Sequence, residues 1–277
     1  MPRRSPPKTG RRASFSARTA DKFELYQLAV QSPVEDVRFL ARLYHSLRGR
    51  EARHLREDFC GTALLCATWV RGRKPRSAEG YDICQGTLEW GRRHNFPPIG
   101  ERSERVRLFA RDVRARSARR PDVRCAQNFS YFVFKERAEL LGYFARVRAD
   151  LAPGGIFVLD IYGGPDAMNE EEDVREVEQG FTYVWDQRRY LPATGDYEAH
   201  IHFRFRDGSE LRRAFSYDWR LWTLPEVKDV LRDAGFRHVD SYWEGTDAAA
   251  EGGNGVFRRS QRGDNCPAWV TYLVAYG

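Results

Sequence analysis

The sequence predicts an α/β protein with a doubly wound, mostly parallel sheet and an antiparallel β insert. Three observations lead to this fold class. Strand, turn and helix patterns alternate between residues 53 and 162, polar or small residues follow four successive strands, and residues 165–222 change to a pattern typical of antiparallel strands. Strands that alternate with helices form parallel sheets, because each helix carries the chain back across one face of the sheet.

The parallel part begins after two helices. Residues 21–48 carry apolar side chains at helical spacing, and Ser32 and Pro33 suit the N-cap and first position of the second helix. Strands are then predicted at residues 54–59, 78–83, 106–110, 123–130 and 156–161. Helices are predicted at residues 63–70, 87–94 and 136–151. In such a sheet, ligands bind beyond the carboxyl ends of the strands.

The insert is predicted to contain antiparallel strands at residues 181–190, 197–206 and 211–221. Asp207 and Gly208 separate the last two strands and are typical of a tight hairpin turn. Apolar and polar residues alternate along the middle strand, so one of its faces is apolar and the other carries histidines and arginines. The remaining predicted elements are a helix at 225–234 closed by Gly235, strands at 237–243 and 269–275, and a loop at 245–267.

Positive charge is concentrated at the N-terminus. Of the net charge of +7, residues 1–20 contribute +6, which leaves about +1 for the rest of the chain. This segment is also rich in Pro and Ser, and we expect a disordered tail because it has little apolar surface to offset its ordering entropy. A nucleic-acid-docking or organelle-targeting arm is the alternative. Residues 21–277 are expected to form a single domain.

The residue types also exclude several classes of protein. The five cysteines form no CxxC pair, and no His, Asp or Glu cluster has the spacing of a metal site. Disulfides, zinc and a magnesium-dependent mechanism are therefore not expected, and a reducing cytoplasm fits best. No apolar run approaches the ~20 residues that cross a bilayer, and the nearly neutral body has no sign of a nucleic-acid-binding module. The expected partner is a small molecule.

Four successive strand ends carry residues suited to a nucleoside ligand. Glu57 to Ala63 form a small-residue turn in which backbone N–H groups can approach a ligand closely. Asp82 ends the second strand, 25 residues after Glu57, and a carboxylate there can accept hydrogen bonds from a ribose diol. Asp112 follows the third strand, where it can accept from an adenine amino group, and Asn128 lies in the segment that ends the fourth.

These segments resemble the motifs of class I S-adenosylmethionine (SAM)-dependent methyltransferases. Residues 54–63 (HLREDFCGTA) are similar to motif I, residues 80–83 (GYDI) to motif II, and residues 110–113 (ARDV) to the segment that receives adenine. Residues 151–160 (LAPGGIFVLD) resemble the hairpin that follows motif IV and are the most diagnostic stretch. The resemblance spans about residues 53–162, and the final strand pair extends it.

The resemblance implies a seven-stranded sheet whose last strand is antiparallel, with the insert as a cap and SAM as the cofactor. The expected cofactor-binding residues are Glu57, Phe59, Cys60, Gly61, Thr62, Asp82, Ile83, Asp112, Val113, Asn128 and Phe129. Glu57 is favoured for the cofactor amino group, with Asp58 as the alternative, because neighbouring strand residues face opposite sides. Phe59 stands where the family usually has Gly, so its ring is expected either to crowd the cofactor or to pack against it.

The implied reaction is methyl transfer to a nitrogen or oxygen atom of a small molecule. Aromatic residues are expected to bind the acceptor and exclude water, and the candidates are Trp185, Tyr190, Tyr217, Trp219 and Trp222. His200, His202 and Tyr26 are candidates for a general base, although the two histidines also fit a solvated outer face. Two alternatives stay open, namely RNA or protein methylation with the basic tail as a docking arm, and SAM binding without catalysis.

Overall fold

The computed structural model describes residues 15–72, 74–246 and 253–277. Its α-helices are α1 (Lys22–Val30), α2 (Pro33–Arg48), α3 (Leu64–Val70), α4 (Gln85–His94), α5 (Arg137–Asp150) and α6 (Leu224–Asp233). Its strands are β1 (His54–Asp58), β2 (Ser77–Asp82), β3 (Val106–Ala110), β4 (Val123–Ala126), β5 (Ile156–Gly163), β6 (Glu172–Val177), β7 (Phe181–Leu191), β8 (Asp196–Phe205), β9 (Glu210–Arg220), β10 (His238–Thr246), β11 (Gly253–Arg259) and β12 (Trp269–Tyr276). Residues 1–14 of the predicted tail and residues 247–252 of the predicted loop lie outside the described residues.

The main sheet has the strand order β11-β10-β12-β5-β4-β1-β2-β3. The five strands from β5 to β3 pair in parallel, whereas β12 runs antiparallel to both β5 and β10. The predicted doubly wound, mostly parallel sheet with an antiparallel last strand is confirmed. Because β1 to β4 run in one direction, their carboxyl ends meet at a common edge, which brings the predicted site segments onto one side of the sheet.

The main sheet has one strand more than predicted. Residues 253–259, expected in a loop, form β11 and pair antiparallel with β10. As an edge strand, β11 has a single neighbour, and its Phe257 packs against Phe39 while Val256 stays exposed. The apolar pattern that identifies a strand is weak in such a half-covered segment, which is why the sequence did not reveal it.

Helices cover both faces of the main sheet. On one face, Leu40 of α2 and Trp69 of α3 belong to the same buried core as Leu55 and Val158 of the sheet. On the other face, the rings of Phe144 of α5 and Phe157 of β5 lie 5.8 Å apart. No helix in the described part of the chain is both long and apolar enough to span a bilayer.

Contacts divide the described residues into two compact units. The main sheet and its helices lie in one unit, whose described residues fall within 32–169, 189–197 and 218–277. The described residues of the other unit fall within 15–31, 170–188 and 198–217. The core of this smaller unit includes Leu25 of α1 together with Phe181, Ile201 and Phe203. Strands of the insert therefore cover α1.

The insert forms a separate sheet in the order β6-β7-β8-β9. Its antiparallel character is confirmed, and the hairpin turn between β8 and β9 has Gly208 at a φ of 81°. Strand β6 was not predicted, since it is an edge strand whose residues are mostly charged and exposed. Its sequence therefore lacks the apolar alternation of a half-buried strand.

Residues 15–20 contact the insert, although the sequence predicted that they belong to a disordered tail. The ring of Phe15 lies 5.4 Å from that of Phe181 in an edge-on contact, and the Ala17 N–H donates to Ser209 Oγ at 2.9 Å. Phe15 is half-buried, and its ring contact and the hydrogen bond of Ala17 hold this segment to the insert.

Helix α4 approaches the turn after β1 so closely that Gly91 leaves no room for a side chain. A Cβ at this position would lie 2.2 Å from the carbonyl oxygen of Thr62, which also accepts a hydrogen bond from Asn95. We expect Gly91→Ala to lower the free energy of unfolding by about 1–3 kcal/mol, because α4 must move away from the turn. Gly142→Ala is the control, since open space surrounds that residue of α5, and it is expected to stabilise the protein by about 0.5–1 kcal/mol. Chemical denaturation measures both, and equal effects would contradict the prediction.

Candidate functional site

The turn after β1 has an unusual backbone. Phe59, Gly61 and Ala63 all adopt left-handed φ angles, of 55°, 51° and 55°. A non-glycine residue in this conformation costs roughly 1–2 kcal/mol, so the turn is kept at an energetic cost. The ring of Phe59 lies 6.0 Å from that of Phe134 and 6.1 Å from that of Tyr143, and this aromatic packing offsets part of the cost. Half-buried Phe59 therefore belongs to an aromatic cluster on the α5 side of the sheet.

Asp82 joins the carboxyl ends of β1 and β2. Its Oδ2 accepts the Gly61 N–H at 2.9 Å, and its Oδ1 accepts the Cys84 N–H at 2.8 Å. Each carboxylate oxygen has a second lone pair, so both can still accept a hydrogen bond from a ligand hydroxyl. The predicted ribose acceptor thus lies directly against the glycine of the turn, with its orientation set by the backbone.

Glu57 and Asp58 face opposite sides of the sheet, as their alternation predicts. Asp58 accepts hydrogen bonds at 2.7 Å from Arg56, from Arg124 and from the hydroxyl of Tyr143. Glu57 accepts from the backbone N–H and the thiol of Cys66, at 3.2 and 3.1 Å. Because three buried donors already occupy Asp58, Glu57 is the acid better placed to bind a cationic ligand group.

Two buried carboxylates, Glu57 and Asp160, and the half-buried Asp36 near this edge have raised pKa values. Burial raises the pKa of Glu57 to about 8, that of Asp160 to about 7 and that of Asp36 to about 6. The charge of Asp36 adds to the increase at both other groups. Asp36 accepts from the hydroxyl of Tyr272 at 3.1 Å, and Tyr272 lies opposite Asp160 in the sheet. The carboxyl edge of the main sheet therefore favours either the protonated form of these acids or a cation bound beside them.

The ligand-free protein is expected to become less stable as the pH rises from about 5 to about 8. Glu57 has a pKa of about 8 when folded and an ordinary value of 4.5 when unfolded. Between these values the unfolded state binds fewer protons, so the free energy of unfolding falls by about 1.4 kcal/mol per pH unit for this group. Asp36 and Asp160 also lower the free energy of unfolding as the pH rises, Asp36 up to about pH 6 and Asp160 up to about pH 7. Denaturation across this range measures the slope. Glu57→Gln, which cannot ionise, is expected to flatten it, and a slope equal to that of the wild type would count against the prediction.

Asp160 fixes the segment that follows β4. Its oxygens accept the backbone N–H groups of Asn128 at 2.8 Å and Phe129 at 2.9 Å. Both of those residues adopt left-handed φ angles, of 55° and 57°. Asp160 and Asp36 were missed as site residues. A buried Asp within the apolar strand β5 is a usable signal for the first, whereas Asp36 looks like an ordinary first-turn acid of a helix.

The other predicted cofactor residues differ in accessibility. Asp112 is exposed and forms a bidentate ion pair with Arg114, which holds the pKa of that carboxyl below its usual value. Val113 is buried. Ile83, next to Asp82 in the chain, is 78% exposed, and its side chain offers an apolar surface to a flat ligand. Cys60 and Thr62 are buried, and the Cys60 N–H donates to the Tyr81 carbonyl at 3.0 Å while the Thr62 carbonyl accepts from Asn95 at 2.9 Å.

Two of the predicted acceptor-binding aromatic residues are enclosed. Trp222 is 2% exposed, and its indole N–H donates to the carbonyl of Phe134 at 3.1 Å. Trp219 is 3% exposed, with its ring 5.8 Å from that of Phe132. Trp222 thus packs in the protein core with its polar atom satisfied.

The remaining acceptor candidates are half-buried. The rings of Trp185 and Tyr217 lie 5.5 Å apart in the insert sheet. Tyr190 lies near the end of β7, where it is partly exposed. The ring of Tyr26, on α1, lies 5.0 Å from that of Phe215.

The histidine face of β8 is buried, which corrects the expectation of a solvated outer face. His200 and His202 are 4% and 2% exposed. The Nδ1 of His200 lies 2.9 Å from Ser216 Oγ, and the Nδ1 of His202 accepts the Arg213 N–H at 2.7 Å. An accepting Nδ1 places the proton of neutral His202 on Nε2, which lies 3.2 Å from Asp186. Alternation along the strand could not reveal this burial, because it depends on the neighbouring strands.

Comparison with known proteins identifies the fold. No protein-family model matches the chain, and no curated protein sequence matches it significantly. Among solved structures, the methyltransferase CcbJ from Streptomyces caelestis is 18% identical, with a TM-score of 0.68 over 90% of this chain and 97% of that chain. CalS10, an amino pentose methyltransferase from Micromonospora echinaspora, is 21% identical, with a TM-score of 0.63 over 92% and 96%. The sugar N-methyltransferase KedS8 from a Streptoalloteichus species is 19% identical, with a TM-score of 0.59 over 100% and 99%.

The chain therefore has the fold of class I SAM-dependent methyltransferases. The similarity extends over nearly the whole of each compared chain, so it includes the insert as well as the main sheet. The fold implied by the sequence motifs is confirmed, with β11 as an added edge strand.

Proposed function

We propose that this protein is a SAM-dependent methyltransferase that acts on a nitrogen or oxygen atom of a small molecule. The observation that carries the proposal is the junction of β1 and β2, where Asp82 accepts the Gly61 N–H at 2.9 Å and the buried Glu57 lies at the end of the adjacent strand. This junction lies at the edge where ligands bind to parallel α/β sheets.

The residues at this edge fit the charge and shape of SAM. The cofactor carries an ammonium group, a sulfonium and a ribose diol. In the described residues, no cationic side chain forms an ion pair with Glu57, whose hydrogen bonds come from Cys66 alone. A buried carboxylate of this kind is stabilised when a cation binds beside it. Asp82 retains lone pairs for the two ribose hydroxyls, and the backbone N–H groups of the turn already fix its direction.

When bound, SAM supplies a methyl group that the sulfonium already activates, so the protein mainly has to bind and orient. Orientation of two reactants can contribute roughly 7–11 kcal/mol to lowering a barrier. In this proposal Glu57, Asp82 and the segment after β3 hold the cofactor. We retain Trp185, Tyr190, Tyr217 and Trp219 as candidates for contact with the acceptor, and His200, His202 and Tyr26 as candidates for taking its proton.

Related folds support a small acceptor. CalS10, solved with SAM bound, is named as an amino pentose methyltransferase, and KedS8 is named as a sugar N-methyltransferase. Both proteins match nearly the whole of this chain, including the insert that the acceptor candidates belong to. We therefore propose a small polar acceptor with an amine or hydroxyl group, and a reducing cytoplasm as the compartment.

Calorimetric titration with SAM and S-adenosylhomocysteine (SAH), with NAD as the control, tests the cofactor. Micromolar binding of the two sulfur ligands and no binding of NAD is the expected result. Incubation with SAM and a panel of amino sugars and hydroxylated sugars then tests the reaction by mass spectrometry, as a gain of one methyl group. Binding without transfer to any acceptor would favour a SAM-binding protein without catalysis. Absence of binding would refute the proposal.

A further inference from the structure

The connection between β3 and β4 contains no helix or strand. Residues 111–122 are irregular throughout. A segment of this kind leaves backbone N–H and C=O groups that need hydrogen-bonding partners where they are shielded from water. Here the partners are buried polar side chains of the main sheet and of α5, and among them is Arg56 of the fully buried strand β1.

Two buried arginines hold the start of this connection. Arg56 donates from Nη2 to the Val113 carbonyl at 2.6 Å and from Nη1 to the Ala115 carbonyl at 2.9 Å. Arg124 donates from Nη2 to the same Val113 carbonyl at 2.7 Å. The two guanidinium groups therefore converge on one carbonyl oxygen from two different strands.

Buried carboxylates balance the charge of the arginines. Asp58 accepts from the Nε of Arg56 and of Arg124, each at 2.7 Å. Asp150 lies 3.4 Å from Nη1 of Arg56 and 3.1 Å from Nη1 of Arg124. Because each planar guanidinium is bonded along several edges, the direction of its remaining N–H groups is fixed. The position of the Val113 carbonyl is thus set by β1 and β4.

A different residue holds the far end of the same connection. Glu79 accepts the backbone N–H groups of Ala118 and Arg119, both at 3.0 Å. Glu79 is buried as well, and it also accepts from the hydroxyl of Tyr81 at 3.3 Å. The hydrogen bonds to the Val113 carbonyl come from Arg56 and Arg124, so substitution of Glu79 removes neither of them.

The start of the connection lies beside the ribose candidate. The Arg111 N–H donates to the Asp82 carbonyl at 3.0 Å, and Asp82 pairs with Ala110 in the sheet. A nucleoside whose ribose binds Asp82 has its base one glycosidic bond away. The backbone at residues 112–113 is thus suitably placed for contact with that base.

We propose that Arg56 and Arg124 are positioning residues that hold the Val113 carbonyl and thereby orient Asp112 and Val113 for the adenine ring of the cofactor. This inference rests on the proposed function. It explains why two charged side chains occupy the interior of the sheet, where a buried ion network contributes little net stability compared with apolar residues.

Arg124→Lys tests the proposal with the charge retained. A lysine has one nitrogen and cannot bind Asp58 and the Val113 carbonyl as the guanidinium does. We expect the Kd of SAH to rise about tenfold or more, the size of effect typical of a lost charge-assisted hydrogen bond. We also expect the preference for SAH over S-inosylhomocysteine, which carries an oxygen in place of the adenine amino group, to be largely lost. Glu79→Gln is the matched control, because it perturbs the far end of the connection, and it is expected to keep the wild-type preference.

Loss of base preference is the readout that a general loss of stability would not produce. An unchanged preference in folded Arg124→Lys, or an equal loss in Glu79→Gln, would overturn the proposal. If Arg124→Lys does not fold, Arg56→Lys provides the test, because it removes the other guanidinium bond to the Val113 carbonyl. Folded Arg56→Lys is expected to show the same loss of preference for SAH, and an unchanged preference would overturn the proposal. A wild-type protein that binds no SAH would refute the proposed function, and this inference with it.

Discussion

Asp82→Ala is expected to weaken SAH binding by about 1.5–3 kcal/mol or more, roughly tenfold to 150-fold in Kd. Two losses contribute to this effect. The ribose hydroxyls lose a charged acceptor, and the N–H groups of Gly61 and Cys84 lose the carboxylate that fixes the turn between β1 and β2. Calorimetric titration of the folded variant measures the sum of the two losses.

A 2′-deoxy analogue of SAH separates the two losses. In the wild type the analogue is expected to bind more weakly than SAH, because one hydroxyl no longer reaches Asp82. In Asp82→Ala the two ligands are expected to bind alike, as in a double-mutant cycle. Glu89→Ala is a suitable control, since Glu89 is an exposed residue of α4 that pairs with Gln85. Persistence of the deoxy penalty in Asp82→Ala would show that the ribose lies elsewhere.

Asp58→Ala is expected to lower the free energy of unfolding by about 3–5 kcal/mol. Asp58 is fully buried and accepts hydrogen bonds from Arg56, Arg124 and Tyr143. Its removal leaves two buried guanidinium groups with a single remaining carboxylate, Asp150. The cost comes from an uncompensated charge and not only from lost contacts. Urea denaturation measures it, provided that the transition stays cooperative.

A second substitution tests whether charge is the cause. Asp58→Ala combined with Arg124→Met leaves one buried cation, Arg56, beside one buried anion, Asp150. Because charge balance is restored, the double variant is expected to be destabilised by clearly less than the sum of the two single variants. Additive costs would mean that packing, rather than the unpaired charge, sets the effect.

The residue pattern was sufficient to predict the parallel part of the main sheet. The segments around β1, β2 and β5 are bounded by turn residues and lie at helix-length spacing, so local periodicity and the order of elements define a parallel sheet. The carboxyl ends of such strands lie at one edge for geometric reasons alone. Asp82 and the turn at Gly61 lie at this edge, and they are joined by a hydrogen bond.

Edge strands and buried polar residues were not predictable in this way. Strand β11 has one neighbouring strand, and β6 is mostly exposed, so neither carries the apolar alternation of a covered strand. His200 and His202 occupy the polar positions of β8, yet they are buried beside Ser216 and Asp186. A polar side chain can be buried wherever a partner satisfies it, and that partner comes from another element.

The sequence by itself determined the fold class, the strand ends that carry the candidate site, and the opposite orientations of Glu57 and Asp58, because each of these follows from local periodicity. Only the tertiary structure decided which of the two acids is free to serve a ligand. Asp58 is occupied by donors from β4 and α5, residues 66 and 85 positions away. Hydrogen bonds between such distant residues form only once the chain has folded, so no local pattern records them.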